Sequence, residues 1–365
     1  MNLETFLDLE SVGQRLEDLE TPVPVIDIDV VSRNLARWQA RCDKAGFANR
    51  PHIKTHKLAG LARAQLALGA GGITVQKLGE AEVMAAAGIS DMLLTFNVVG
   101  AHKLDRLAAL ARTTAIKVVA DNEAVLEGLS HAAAQSGRDI AVLVECDTGA
   151  ARNGVQSPAA AIALAQAIDR TPGLTFGGLM TLPKNGARGH MAAFLDAARA
   201  GLERTGLASP AISTGGTPDM WSDEGLAHVS EYRAGTYIYN DRMQVAAGSA
   251  AAQDCALAVL ATVVSVPTGD RAMIDAGSKA LTSDLLGLEG YGEVRALSGA
   301  KVYAMSEEHG FLDISRLNDK PRVGDLVRIT PNHVCPVTNL FDKVVFTRGD
   351  AVLGAVRVDA RGTVQ

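Results

Sequence analysis

Ile73-Thr74-Val75-Gln76-Lys77-Leu78-Gly79-Glu80-Ala81-Glu82-Val83-Met84-Ala85-Ala86-Ala87-Gly88 decides the fold class. Three strand-forming residues come first. Apolar side chains then recur at helical spacing over 78–87, and Gly88 supplies the stop. The same unit repeats on both sides. Upstream, 25–29 reads as a strand and 30–45 as a helix closing at Gly46; 52–54 reads as the next strand, with its helix at 58–68. Downstream, strand candidates at 92–96, 117–120, 140–145, 176–180 and 211–213 are interleaved with helical stretches at 104–110, 122–136, 157–168 and 190–205. Helices long enough for parallel crossovers predict an α/β fold, a TIM-like (β/α)8 barrel. A doubly wound open sheet shares this local rhythm. However, no Gly-x-Gly-x-x-Gly follows the first strand, and no phosphate-loop Lys-Ser/Thr motif occurs.

Near residue 245 the texture changes. Segments 257–266, 271–274, 302–306, 326–329 and 351–358 are strand-like with little helix between them. Val266-Pro267-Thr268-Gly269-Asp270 and Pro321-Arg322-Val323-Gly324-Asp325 are strong turn signals. The expected division is a barrel over 20–247 and a second β-rich domain over 248–365, to which the leader 1–19 is a candidate addition.

Composition narrows the function. The chain has 365 residues, suited to a barrel-sized domain plus a smaller one. A net charge of -6, with basic residues dispersed outside one cluster, gives no electrostatic case for nucleic acid or an anionic membrane. Aromatics are only 4%, which also disfavours a base-stacking platform. The start, MNLETFLDLE, is acidic and lacks a secretory pattern, and no apolar run reaches membrane-spanning length. Cys42, Cys146, Cys255 and Cys335 are widely spaced, as expected of thiols in a reducing compartment. A cytoplasmic protein is expected.

The basic cluster is Arg50-Pro51-His52-Ile53-Lys54-Thr55-His56-Lys57. As a strand, it sets His52, Lys54 and His56 on one face. A buried ammonium is costly unless paired, captured covalently or shifted in pKa, so Lys54 is a candidate Schiff-base nucleophile or proton-transfer base. A solvent-facing basic strand end is the plainer alternative. In a barrel, residues just past the strands converge on one mouth, here Lys54, Thr95, Asn97, Glu145, Asp147, Arg152, Thr181 and Ser213 to Thr217. Ser213-Thr214-Gly215-Gly216-Thr217 combines hydroxyls with glycines, fit either to hold phosphate or simply to turn. Arg152 could grip a carboxylate or cofactor, or pair with Asp147. Pro331-Asn332-His333-Val334-Cys335 sets an imidazole and a thiol two apart, competent for a transition metal and zinc above all; a packed histidine beside a buried thiol is the alternative. Glu307, Glu308, His309 and Asp342 are candidates to orient such a ligand. His190 is a possible acid or base without an obvious partner, and Tyr232 and Tyr237 lie in Glu231-Tyr232-Arg233-Ala234-Gly235-Thr236-Tyr237, which could close the barrel.

With these motifs in order, the chain resembles the D-serine dehydratase and D-threonine aldolase family, pyridoxal-phosphate enzymes with an alanine-racemase-like barrel. The resemblance lies in RPHIKTHK at 50–57, QKLGEAEVMAAAG at 76–88, STGGT at 213–217, EYRAGTY at 231–237, SEEHG at 306–310 and PNHVC at 331–335. It implies an N-terminal barrel, a C-terminal β domain and a homodimer. It also implies that Lys54 carries pyridoxal 5'-phosphate as a Schiff base, with Ser213, Thr214, Gly215, Gly216 and Thr217 on the cofactor phosphate. Tyr237 falls in the barrel-closing motif, and Arg152 matches a cofactor-proximal arginine. His333 and Cys335 match divalent-metal ligands of the dehydratase branch, with zinc favoured over manganese or magnesium. His190 is matched with a histidine of the aldolases' hydroxyl chemistry. One departure stands out: several relatives place a tyrosine where this chain continues Thr181-Leu182-Pro183-Lys184.

The implied reaction is dehydration of a small β-hydroxy D-amino acid (D-serine, D-threonine or D-3-hydroxyaspartate) to a 2-oxo acid and ammonia. The competitor is retro-aldol cleavage to glycine and an aldehyde, and His-x-Cys rather than His-x-Asp favours dehydration. A racemase would leave the His/Cys pair without a use. A noncatalytic cofactor carrier would not need the β domain, and a purely structural protein would make both motifs coincidences.

Overall fold

The structure is a computed structural model that describes residues 1–295, 297 and 299–365. The chain forms two compact units. One comprises Met1–Trp38, Thr55–Ala64 and Thr236–Gly362; the other comprises Gln39–Lys54, Gln65–Gly235 and Thr363–Gln365. Among the described residues, no helix is long and apolar enough to cross a membrane.

The second of these units is the barrel. Its eight parallel strands run in the order Ala48–Asn49, Glu231–Tyr232, Ile212–Thr214, Leu174–Thr181, Ile140–Cys146, Ala115–Ala120, Asp91–Leu94, Ile73–Val75. A parallel bridge from His52 to Thr74 closes the ring. Strands covered on both faces need continuous apolar runs, and Ile73 and Val75 are fully buried accordingly. Leu93, Val119, Leu143 and Met180, one from each of four neighbouring strands, pack as an interior layer. Each is worth about 1.5–3 kcal/mol of burial. The helix Leu78–Ala86 ends as expected, with Gly88 at φ +84°.

The other unit is built on a nine-stranded sheet. Six of its strands form a closed antiparallel ring: Arg271–Ile274, Gly310–Asp313, Lys301–Met305, Gly292–Val294, Leu326–Pro331 and Leu257–Thr268, the last pairing back to the first. The leader joins this unit through bridges Glu10–Ala355 and Arg15–Ala351.

Three local expectations are corrected. The first predicted strand exists, as Val23–Asp27, but it pairs with Leu257–Thr268 and Lys343–Arg348 rather than within the eight-stranded sheet. Periodicity identifies a strand, not its partner. The predicted strand 52–54 is replaced by the single bridge at His52 and a 3-10 turn, Ile53–Thr55, so the two-residue period stops there. The turn signal at 266–270 is narrower than expected, since the strand continues through Pro267 to Thr268.

Candidate active site

Hydrogen bonds from Arg50 N to the Tyr232 carbonyl and from His52 N to the Ala234 carbonyl, both 2.9 Å, extend the ladder past the short strands. They carry the chain to the turn that holds Lys54. Within it the basic residues separate by partner. Arg50 is buried and gives Nε to Glu231 at 2.6 Å and Nη1 to Asp91 at 2.7 Å. Burial works against its charge, but the two carboxylates raise its pKa above the ordinary guanidinium value. His52 sits against Gln76 at 3.2 Å. Lys57, at φ +55°, gives Nζ to Asn339 at 2.7 Å. Lys54 is half-buried, and its ammonium makes no hydrogen bond or ion pair among the described residues. The octapeptide is thus not a uniformly basic face.

Arg233 N donates to the Thr214 carbonyl at 2.8 Å, which places the glycine turn on the adjoining strand end. Ser213, Thr214, Gly215 and Thr217 are buried. Gly215 has φ +100°, and a Cβ there would lie 2.3 Å from the Tyr232 ring, so glycine is required. Ser213 Oγ and Arg233 Nε are buried without a hydrogen-bond partner among the described residues. Orphaned donors of this kind cost about 1–3 kcal/mol each unless a bound group satisfies them. An unpartnered lysine, a glycine cradle and orphaned donors on neighbouring strand ends fit pyridoxal phosphate.

The loop after Ile140–Cys146 is charged as expected, with a different pairing. Asp147 accepts from the amides of Gly149 and Ala151 and shapes the turn; Arg152 instead lies 3.7 Å from Glu145. Burial raises the Glu145 carboxyl's pKa, opposed by Arg152 and Arg233. Thr181, at the departure from the family pattern, is buried and bonds Thr148 at 2.8 Å. His190 is exposed in the first turn of the helix Arg188–Arg204.

In the other unit, His333 is extended at the N-cap of the helix Val334–Leu340, and Cys335 lies inside its first turn. The extended backbone therefore ends at His333. Asn332 gives its amide to the carbonyls of Asp284 at 2.9 Å and Gly290 at 2.8 Å, fixing the loop from which Asp284 reaches His333 Nδ1 at 2.7 Å. A carboxylate on Nδ1 holds a proton on that nitrogen, so Nε2 is the nitrogen that would take a ligand once it gives up its own proton. His333 also hydrogen-bonds Cys335; although burial opposes its charge, Cys335, Asp284 and Asp241 raise its pKa to about 9. Asp241 caps the same helix through the Val334 amide at 3.1 Å, and burial pushes its carboxyl up to about 6. Thr55 Oγ1 lies 3.1 Å from Cys335 Sγ, and Thr236 Oγ1 lies 3.8 Å from it.

Among the described residues, no three His, Cys, Asp or Glu side chains are grouped to hold a metal ion. An imidazole with its second nitrogen anchored, beside a thiol, nevertheless suits a two-ligand site completed by other donors. Of the residues nominated for support, Glu308 pairs with Lys279, Asp342 pairs with Arg361, and Glu307 and His309 are exposed. Tyr237 is buried in this unit, its ring 5.9 Å from Trp38. Asp284, Thr55 and Arg233 are the site residues that sequence reasoning missed. Arg233 stood inside a quoted motif; Asp284 had no local signal.

Residues 26–243 match the alanine racemase N-terminal domain, and residues 256–347 match a serine dehydratase domain. A D-threonine aldolase from Arthrobacter sp. is 37% identical over 96% of this chain and 95% of its own. A D-threo-3-hydroxyaspartate dehydratase from Delftia sp. (strain HT23) is 34% identical over 87% of this chain and 91% of its own. The structure of a D-threonine aldolase from Filomicrobium marinum superposes with a TM-score of 0.90 at 31% identity, covering 98% of this chain and all of that one. Solved structures of a D-threo-3-hydroxyaspartate dehydratase include a metal-free cysteine-to-alanine variant and a histidine-to-alanine variant at positions two apart, both with a TM-score of 0.84 at 31–32% identity. With this coverage by enzymes of one kind, the chain belongs to the D-serine dehydratase and D-threonine aldolase family of pyridoxal-phosphate-dependent lyases.

Proposed function

We propose that the protein dehydrates a β-hydroxy D-amino acid to a 2-oxo acid and ammonia, using pyridoxal phosphate at Lys54 and a divalent metal at His333 and Cys335. The observation that carries the reading is the His333–Cys335 pair, hydrogen-bonded together, with Asp284 on the imidazole. The dehydratase relative was solved with a histidine and a cysteine at the same spacing replaced, once in a metal-free form.

Bound pyridoxal phosphate supplies an electron sink that acidifies the substrate Cα–H bond. Nε2 of His333 and Sγ of Cys335 would hold a divalent metal, which would supply Lewis acidity toward a β-hydroxyl; zinc suits this donor pair. Lys54, half-buried and without a partner for its ammonium among the described residues, would hold the cofactor through its amine and, once a substrate amine has released it, would take the proton from Cα. Ser213 to Thr217 hold the phosphate through hydroxyls and backbone amides. Asp284 keeps the proton on Nδ1 of His333, and the Thr55 hydroxyl, 3.1 Å from Cys335 Sγ, would donate to the sulfur once it is a thiolate.

A second reading, retro-aldol cleavage to glycine and an aldehyde, is favoured by the 37% identity and the 0.90 TM-score to D-threonine aldolases. Product analysis separates the two. Incubating metal-loaded protein separately with D-serine, D-threonine and D-3-hydroxyaspartate should yield ammonia and a 2-oxo acid. Glycine and an aldehyde would transfer the assignment to cleavage. His333→Ala and Cys335→Ala should each lower metal occupancy and ammonia release together; unchanged occupancy would make both residues structural.

A further inference from the structure

Arg188 and Tyr232 form a buried polar chain behind the glycine turn. Arg188 opens the helix Arg188–Arg204 and is 2% exposed. Its Nη2 donates to the Tyr232 hydroxyl at 2.5 Å and to the Asp219 carbonyl, while Nη1 donates to the Glu224 carbonyl at 3.4 Å. A guanidinium only donates, so the Tyr232 hydroxyl accepts from it and directs its own proton to the Gly216 carbonyl, 2.9 Å away. Burial pushes the phenol up to about 12, which keeps that proton in place at neutral pH. The Tyr232 ring also occupies the space a Cβ at Gly215 would need. One side chain therefore touches both glycines, and Arg188 grips the loop that follows them at two carbonyls.

We propose that Arg188 and Tyr232 are positioning residues, a clamp that holds the Gly215–Gly216 turn in the one orientation that receives the cofactor phosphate. The inference rests on assigning Ser213 to Thr217 to that phosphate. The carbonyl and amide of a trans peptide unit point in opposite directions. Tying the Gly216 oxygen to Tyr232 thus directs the Thr217 amide away from the phenol and prevents the peptide from flipping. The guanidinium charge is balanced within the clamp. The Asp219 carboxylate is 3.8 Å from Arg188 Nε, and that nitrogen has no hydrogen-bond partner among the described residues.

The test compares pyridoxal phosphate with pyridoxal, which lacks the group the clamp serves. Both are titrated into wild-type protein and the Tyr232→Phe and Arg188→Lys variants, following the visible absorbance of lysine-bound cofactor. Inorganic phosphate serves as a competitor. Tyr232→Phe should weaken pyridoxal phosphate about tenfold, the worth of one buried hydrogen bond, while pyridoxal stays within about twofold. Phosphate should compete less well in that variant, and Arg188→Lys should act in the same direction. Equal losses for the two ligands, or pyridoxal phosphate affinity within about twofold of wild type in Tyr232→Phe, would overturn the clamp. Wild-type protein that binds both ligands equally would remove the phosphate assignment, and the clamp with it. Tyr232→Phe removes a single oxygen, and its melting temperature reports whether the barrel is intact.

Discussion

Residues 50–57 and residues 331–335 both concentrate reactive side chains, and they are prepared differently. In the first, Arg50 is tied to two carboxylates and Lys57 to Asn339, while Lys54 between them has no partner among the described residues. In the second, His333 and Cys335 bond one another, Asp284 holds the imidazole, and Thr55 reaches the sulfur. On the proposed assignment, the nucleophile is readied by withholding partners, so that its amine can react, and the metal ligands by supplying partners, so that their orientation is set before an ion arrives.

The sharpest break of this comparison is at Lys54. Lys54→Ala should abolish the absorbance of lysine-bound cofactor and lower turnover by ~10⁴-fold, the upper range for a lost general base. A variant that kept both would show that the unpartnered lysine is incidental. Arg50 provides the control within the same octapeptide. Arg50→Met leaves Glu231 buried without its cation and should cost about 3–5 kcal/mol of stability, read by urea denaturation. Cofactor capture should survive in the molecules that remain folded. Unchanged stability with lost capture would reverse the roles given to the two cations.

That contrast also marks how far the sequence could be read. The strand–helix rhythm from Ile73 to Thr214 was legible because each unit carries its own apolar period and its own stop, such as Gly88. Strand pairing was not. Val23–Asp27 has the composition of a barrel strand, yet its partners lie more than 200 residues away at Leu257–Leu260. Residue types alone nominate the octapeptide's lysine, but not its geometry, because the strand period breaks at residues that form a 3-10 turn. PNHVC suggests a ligand pair by its residue types alone. Asp284, 49 positions before His333, is brought there by Asn332, whose amide holds the intervening loop. No local pattern encodes such a contact.

Asp284 therefore tests whether the second region owes its readiness to supplied partners. Asp284→Asn keeps the shape and removes the charge on Nδ1. Metal affinity, measured by competition with a chromophoric chelator, should fall about tenfold, the low end for this kind of support because the carboxylate is 43% exposed. Cofactor absorbance should not move. Unaltered metal affinity would leave His333 oriented by the helix cap alone.

The smallest effect is expected at Thr55, and it bears on both regions. Thr55 is fully buried, follows Lys54 in the chain, and places Oγ1 3.1 Å from Cys335 Sγ. While the thiol is neutral either atom can donate, but a metal-bound sulfur is a thiolate, so the hydroxyl must then donate to it. Thr55→Val exchanges that hydroxyl for a methyl of similar size and removes one hydrogen bond, worth about 1 kcal/mol. Metal affinity should fall about fivefold. Thr236→Val, starting from the longer 3.8 Å contact, should change it less. The Lys54 absorbance is the second readout. If it is unchanged while metal affinity falls, Thr55 acts on the sulfur and the lysine's reactivity is independent of it. If metal affinity is insensitive to both threonine variants, the hydroxyls are packing groups, and Cys335 is not the sulfur ligand that the comparison requires.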